Sequence, residues 1–274
     1  MLERIISLYQ QIKNNKPLVH CLTNHITIND CANILLAAGA KPIMAEHPSE
    51  VGSITASADA LAVNLGNISD LRMKSMLISG RIARKQNIPI TIDLTGIAAS
   101  PFRLDFAAKF IKEAAPQLIK GNISEIKTLF TGVSTGRGVD ASTEDKEMNP
   151  LEVAKLAFFL ANEYNAVILA SGEIDVIADK DKAVCLQNGD KMLANITGTG
   201  CMQTVLASAC TSTGDVFSGA VLGATLLAIS GEIAAQSAKG PAAFKIGLFD
   251  VLYKLASQDI ADYFTMTEVY RDEV

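Results

Sequence analysis

Two glycines, two hydroxyls and a thiol stand together in Thr197-Gly198-Thr199-Gly200-Cys201. The segment follows a polar turn and opens a run of small residues, Thr204 to Thr211, that reads as a buried helix. Glycines one residue apart let a backbone approach a ligand closely and adopt dihedrals that other residues resist. A helix start adds unpaired N–H groups and the positive end of a dipole, and both favour an anion. Gly198, Thr199 and Gly200 therefore suit an anion hole, and Cys201 sits where a thiol pKa tends to fall. The same letters also suit a glycine-rich strand-to-helix turn with an inert cysteine, so the segment alone does not decide.

The surrounding chain alternates short β-rich runs with longer helical patterns. Strands are expected at Leu18–Leu22, Pro42–Ala45, Ala60–Asn64, Ile88–Asp93, Leu118–Lys120, Ala166–Ala170 and Ile174–Ala178, the last forming a hairpin with 182–187. Helices are expected near 3–13, 28–38, 48–56, 70–85, 104–114, 123–130 and 150–164, then near 200–212, 216–237 and 241–257. This alternation predicts a largely parallel sheet between two helical layers. Ligands of such sheets bind outside the carboxyl ends of the strands. Those ends carry His20-Cys-Leu-Thr-Asn24-His25, Met44-Ala-Glu46-His47, Asn64-Leu-Gly66-Asn67, Asp93-Leu-Thr-Gly96, Lys120-Gly-Asn122-Ile-Ser-Glu125 and Ser171-Gly-Glu173. An acid, a base and a glycine cradle concentrated at one edge point to a catalytic cleft.

Composition sets the class. Nearly half of the 274 residues, 49%, are hydrophobic while aromatics reach only 5%, which implies a core of Ala, Val, Ile and Leu as in layered α/β proteins. A net charge of −5 and no basic stripe argue against nucleic acid as a partner. Cys21, Cys31, Cys185, Cys201 and Cys210 form an odd set without CxxC spacing, which reads as reduced thiols in a cytoplasmic protein. The first residues lack the pattern of a signal peptide, and the apolar stretch from Val216 to Ile233 contains Glu232 and many small residues. It reads as a core helix, and no membrane partner is expected. The Gly132–Asn149 stretch reads as a surface loop, and no linker or repeat divides the chain, so residues 1–274 are expected to form one domain.

Asn122-x-x-Glu125 after a strand and Gly-Thr-Gly before a long helix resemble the ribokinase-like superfamily of small-molecule kinases. Within it the chain is most similar to the hydroxyethylthiazole kinase family. That resemblance runs through Val19-His-Cys-Leu-Thr-Asn24, Ala32–Ala40, Pro42-Ile-Met-Ala45, Lys120–Ile126, Gly138-Val-Asp140, Ser171–Val176 and Thr197–Cys201. Cysteine after Gly-Thr-Gly is the discriminating letter, because most of the superfamily has aspartate there. The resemblance implies a ribokinase-like three-layer α/β/α fold with a mostly parallel sheet and no separate lid. It also implies transfer of the ATP γ-phosphoryl group to 4-methyl-5-(2-hydroxyethyl)thiazole in thiamine salvage, with Mg²⁺, by a homotrimer. Carried over by position, Met44, Gly198 and Asn24 fall on the thiazole-binding positions and Lys120 and Ser171 on the ATP contacts. Asp93 and Glu125 fall on the acidic pair that manages Mg²⁺, directly or through waters, and Cys201 falls on the catalytic position.

Each assignment has a plainer counterpart. Asp93 could cap the turn after its strand, Glu125 could complete a capping box with Asn122, and Met44 could be core. His20, His25 and His47 read as local hydrogen-bonding groups. Two positions depart from the family pattern. Lys120 replaces the commoner arginine and gives up its planar fork. Asp93-Leu-Thr-Gly replaces Asp-Pro-Val-Gly and gives up proline's fixed φ. Other functions compatible with these residues are a ribokinase-fold kinase acting on another hydroxymethyl heterocycle, a hydrolase pairing Cys201 with an early histidine, and a nucleotide sensor without turnover.

Overall fold

The computed structural model describes residues 1–134 and 148–273. The Gly138-Val-Asp140 block and most of the expected 132–149 loop lie outside the described residues. The strands are β1 (Leu18–Leu22), β2 (Lys41–Ile43), β3 (Ala60–Asn64), β4 (Ile90–Asp93), β5 (Leu118–Asn122), β6 (Val167–Ser171), β7 (Asp175–Ala178), β8 (Lys182–Leu186) and β9 (Met266–Tyr270). They form one sheet in the order β2-β1-β3-β4-β5-β6-β7-β8-β9. Every pairing from β2 to β6 is parallel, and those from β6 to β9 are antiparallel.

Helices flank both faces: α1 (Leu2–Asn15), α2 (Ile28–Ala38), α3 (Val51–Ala56), α4 (Asp70–Gln86), α5 (Pro101–Ala114), α6 (Ile123–Thr131), α7 (Pro150–Tyr164), α8 (Thr199–Thr211), α9 (Val216–Ala235), α10 (Pro241–Lys254) and α11 (Ser257–Tyr263). One core joins α1, α2, α8, α9 and α10 to one face of the sheet, and a second joins α4 to α7 to the other. The three-layer expectation therefore holds. Strands buried on both sides explain why β3 and β4 read as near-continuous apolar runs.

Boundaries differ where local chemistry overrides pattern. The second strand stops at Ile43, and the next residues leave the sheet. The final expected helix, 241–257, breaks at Leu255 into α10 and α11. The edge strand β9 has no counterpart in the expected elements. Helix α9 is long and apolar enough to cross a membrane, yet most of it is buried inside the fold. It packs against α8 at backbone distance: a Cβ on Gly219 would lie 2.7 Å from the Cys210 carbonyl oxygen, and one on Gly223 would collide with the Ala207 backbone. Only glycine permits this approach.

Candidate active site

Parallel pairing places Asn64 beside Asp93 and Asp93 beside Lys120, so the ends of β3, β4 and β5 present one polar row. Residues paired across strands point to the same face, and α8 lies over this row. Asp93 is 1% exposed and collects four side-chain donors. Asn64 Nδ2 donates to Oδ2 at 3.0 Å, Lys120 Nζ donates to the same atom at 3.3 Å, and Thr204 Oγ1 also donates to it. Thr95 Oγ1 donates to Oδ1 at 2.8 Å.

The loop after Asp93 keeps its shape without proline. The Leu94 N–H donates to the Lys120 carbonyl at 2.8 Å, a bond proline could not make. Gly96 takes a positive φ of 83° and donates its N–H to Glu125 Oε1 at 2.7 Å. Glu125 Oε2 accepts the Asn122 N–H at 2.8 Å, and Asn122 Oδ1 accepts the Glu125 N–H at 2.9 Å. This is the capping box that the spacing suggested, and it also ties the loop after β4 to α6. Burial first, and then the charge of Asp93, raises the Glu125 carboxyl to about 7 against the opposing pull of Lys120. For Lys120 burial lowers the pKa, but the Asp93, Glu125 and Cys201 charges outweigh it and the amine is raised overall. The lysine is a fixed cation.

The turn into α8 relies on both glycines. Gly198 caps α8 with φ 94°, and a Cβ there would stand 2.5 Å from Thr27 Cγ2. A Cβ on Gly200 would lie 3.1 Å from Lys120 Nζ, so the ammonium sits directly beneath the backbone that opens α8. The first N–H groups of α8 have no carbonyl a turn earlier to bond. Cys201 departs from expectation. Instead of falling, its pKa is raised, first by burial and then by the negative charge of Asp93. Its helix-start position cannot offset loss of solvent at a site 8% exposed. The thiol's partners are Asn64, whose Nδ2 donates to Sγ at 3.4 Å, and Thr27.

Histidine is not among those partners. The His20 ring bonds Thr55 Oγ1 and the Ala45 carbonyl, both at 2.8 Å; His25 pairs with Glu46, and His47 Nδ1 accepts the Ser49 N–H. The geometry of a cysteine–histidine hydrolase is not formed. Asn24 stands half-buried at the end of β1, and a Cβ on Gly66 would be 2.5 Å from its Nδ2. Met44 is half-buried against the core beyond the edge strand β2. Ser171 is in register with Asn122, and its Oγ donates to the Gly121 carbonyl at 3.3 Å. Asp93, Glu125, Lys120 and Cys201 thus converge, while Met44 and Ser171 lie at opposite flanks. Asn64 and Thr204 join the centre without having been singled out. Asn64 was visible as a polar strand end, whereas Thr204 looked like one more small residue of a buried helix.

A mostly parallel sheet between two helical layers, with a glycine-opened helix, a buried lysine and two buried acids at its carboxyl edge, has ribokinase-like architecture. The overall shape agrees: a ribokinase-like superfamily protein from Enterococcus faecalis aligns over 92% of this chain and 95% of its own, with TM-score 0.59 and 12% identity, a likeness of fold. The chain belongs to the hydroxyethylthiazole kinase family, whose model matches residues 9–258. It is 47% identical over 253 residues to hydroxyethylthiazole kinase 2 of Clostridium botulinum, covering 92% of this chain and 95% of that one. The solved hydroxyethylthiazole kinase of Pyrococcus horikoshii is 30% identical, covers 97% of this chain and 99% of its own, and superposes with TM-score 0.89.

Proposed function

We propose that this protein transfers the γ-phosphoryl group of ATP to the primary hydroxyl of 4-methyl-5-(2-hydroxyethyl)thiazole, giving the thiazole phosphate of thiamine salvage. The observation that carries the reading is the stack of Asp93, Lys120 and the Gly198–Cys201 backbone at one point of the cleft. Phosphoryl transfer proceeds through a loose transition state, so positioning and charge stabilisation do most of the work. The N–H groups at the start of α8 and the Lys120 ammonium face the charge that gathers on the transferring group. Ser171 and Lys120 contact ATP, while Asn24, Met44 and Gly198 line the acceptor pocket, with the Met44 thioether offering an adaptable surface to a heteroaromatic ring.

ATP enters with Mg²⁺, which neutralises phosphate charge when bound. Among the described residues no cluster of three His, Cys, Asp or Glu could hold a metal alone. Asp93 Oδ1 and the two Glu125 oxygens accept one donor each and keep a lone pair, which fits an ion that retains phosphate and water ligands. Cys201, neutral and bonded by Asn64, orients the hydroxyl, whose proton passes late to an oxygen of the phosphoryl group as its bond to ADP breaks. The chain acts as a single domain over 1–274 and in the cytoplasm, in keeping with five free buried cysteines. It assembles as a homotrimer; exposed Leu36 on α2 and Ile246 and Tyr253 on α10 supply apolar surface for that contact.

Incubation of the purified protein with the thiazole alcohol and Mg-ATP, followed by mass spectrometry, tests the reaction. Thiazole monophosphate and ADP in equal amounts are expected. Phosphorylation of another hydroxymethyl heterocycle with none of the thiazole overturns the substrate. Light scattering at a mass other than three subunits overturns the trimer.

A further inference from the structure

Arg72, on the first turn of α4, is 1% exposed. Arginine is almost never so buried without partners, and here the partners are mostly backbone. Its Nη1 donates to the carbonyls of Gly66 and Asn67, each at 2.7 Å, and its Nη2 donates to the carbonyl of Thr23. Its Nε has no hydrogen-bond partner and faces Glu46 Oε2 at 3.6 Å. Thr23 follows β1, Gly66 and Asn67 follow β3, and Glu46 follows β2. One guanidinium therefore ties three separate loops. Ser75, one turn further along α4, donates to the Glu46 carbonyl at 2.7 Å, and His20 holds the Ala45 carbonyl between Met44 and Glu46.

An apolar side chain could fill this space without burying a charge, which is costly. It could not satisfy three inward-pointing carbonyls at the ends of two strands. We propose that Arg72 is the positioning residue of the acceptor pocket, its planar fork holding the loop that carries Asn24 against the loop after β3 while its charge faces Glu46 on the loop that carries Met44. The inference rests on the proposed function for the acceptor and for the place of its pocket. None of Arg72's partners lies on β5, β6 or α8, so the nucleotide side of the cleft is held independently.

Arg72→Lys tests this, because it keeps a cation but replaces the fork by one ammonium. In steady-state kinetics the variant is expected to raise KM for the thiazole alcohol by about tenfold or more, as small misplacements of a pocket do. KM for ATP should stay within about twofold. An unchanged alcohol KM, or equal rises for both substrates, overturns the inference. Hydrogen exchange read by mass spectrometry gives a second measurement that needs no substrate. Faster exchange confined to 23–26, 44–47 and 66–67 supports the positioning role, and unchanged or uniformly faster exchange overturns it. Ser75→Ala, which removes one hydrogen bond to the same loop, guards against a variant that fails to fold. A smaller rise in alcohol KM alone is expected there, and no change in a folded Ser75→Ala beside an unfolded Arg72→Lys overturns the inference. Wild-type protein that makes no thiazole phosphate overturns the proposed function instead, and the exchange measurement still decides the role of Arg72.

Discussion

At the β4–β5 end of the cleft four side chains converge on one carboxylate, whereas at the β1–β2 end one guanidinium spreads over the backbone of two loops and the carboxylate of a third. The first arrangement uses sheet register: neighbouring strands end in step, and their polar residues meet because the pleat aims them alike. The second uses a helix side chain to gather segments that have already left the sheet. The buried charge network thus rests on the most regular part of the molecule, and the proposed acceptor pocket on the least regular. A buried charge network tolerates little displacement, while a pocket formed by loops can be reshaped without disturbing it.

The contrast breaks most readily at Asp93. Asp93→Asn is expected to lower turnover by about 100- to 1000-fold, the scale of one preorganised electrostatic contact. It also leaves Lys120 buried beside a neutral amide and destabilises the fold. Adding Lys120→Met should recover the thermal midpoint but not turnover, and recovery of both would remove the charge network from the mechanism. Next in size is Cys201. Cys201→Ala should lose no more than about 100-fold in kcat, the low end for proton transfer, because the thiol is held neutral. Cys201→Asp should retain more activity than Cys201→Ala, since related kinases use aspartate at this position. Equal loss in both, with a covalent adduct on the native thiol by intact mass, would make the cysteine a nucleophile.

Glu125 separates stability from turnover. Its carboxyl stands at about 7 in the fold against 4.5 ordinarily, so between those values the native state holds a proton that the unfolded chain has released. The group's contribution is complete below about 4.5 and declines as pH rises to about 7, by an amount on the order of 1–3 kcal/mol. Denaturant titrations from pH 4 to 8 should show this decline in the wild type and its loss in Glu125→Gln. Parallel curves would exclude Glu125 as the source. The smallest effect belongs to the β1–β2 end: the exposed His25–Glu46 pair should contribute less than about 1 kcal/mol, so His25→Ala should unfold almost as the wild type does. A larger loss would mean that Glu46 depends on His25 as well as on Arg72.

Regular elements and the charge network were largely legible in the sequence. The expected bounds of β1, β3, α2 and α7 coincide with those observed, because apolar runs and periodic patterns were long and flanked by caps or turns. Asp93, Glu125, Lys120 and Gly198–Cys201 were recognisable as strand ends and a glycine-rich helix start. Arg72 was not, since an arginine in the first turn of a helix ordinarily signals a solvated face. The Cys201 thiol was misjudged for a related reason: helix position can be read from sequence, whereas desolvation beside a carboxylate depends on β4 lying beneath α8. Strand β9 was missed because its burial alternates weakly at the edge of the sheet, with only Val269 fully covered. Family resemblance supplied roles for Asn24 and Met44 that spacing could not.

The contact of α9 on α8 has a consequence for inheritance. Gly219 and Gly223 pack against Cys210, Thr211 and Ala207, so they fix where α8 lies, and Cys201 stands just under two turns along that helix from Ala207. A glycine codon becomes an alanine codon by one base change, and the added methyl would meet backbone atoms that cannot swing aside. The gene is therefore open to inactivation at positions remote from every ligand. A survey of natural variants that weighs only the residues of the cleft would count such alleles as intact.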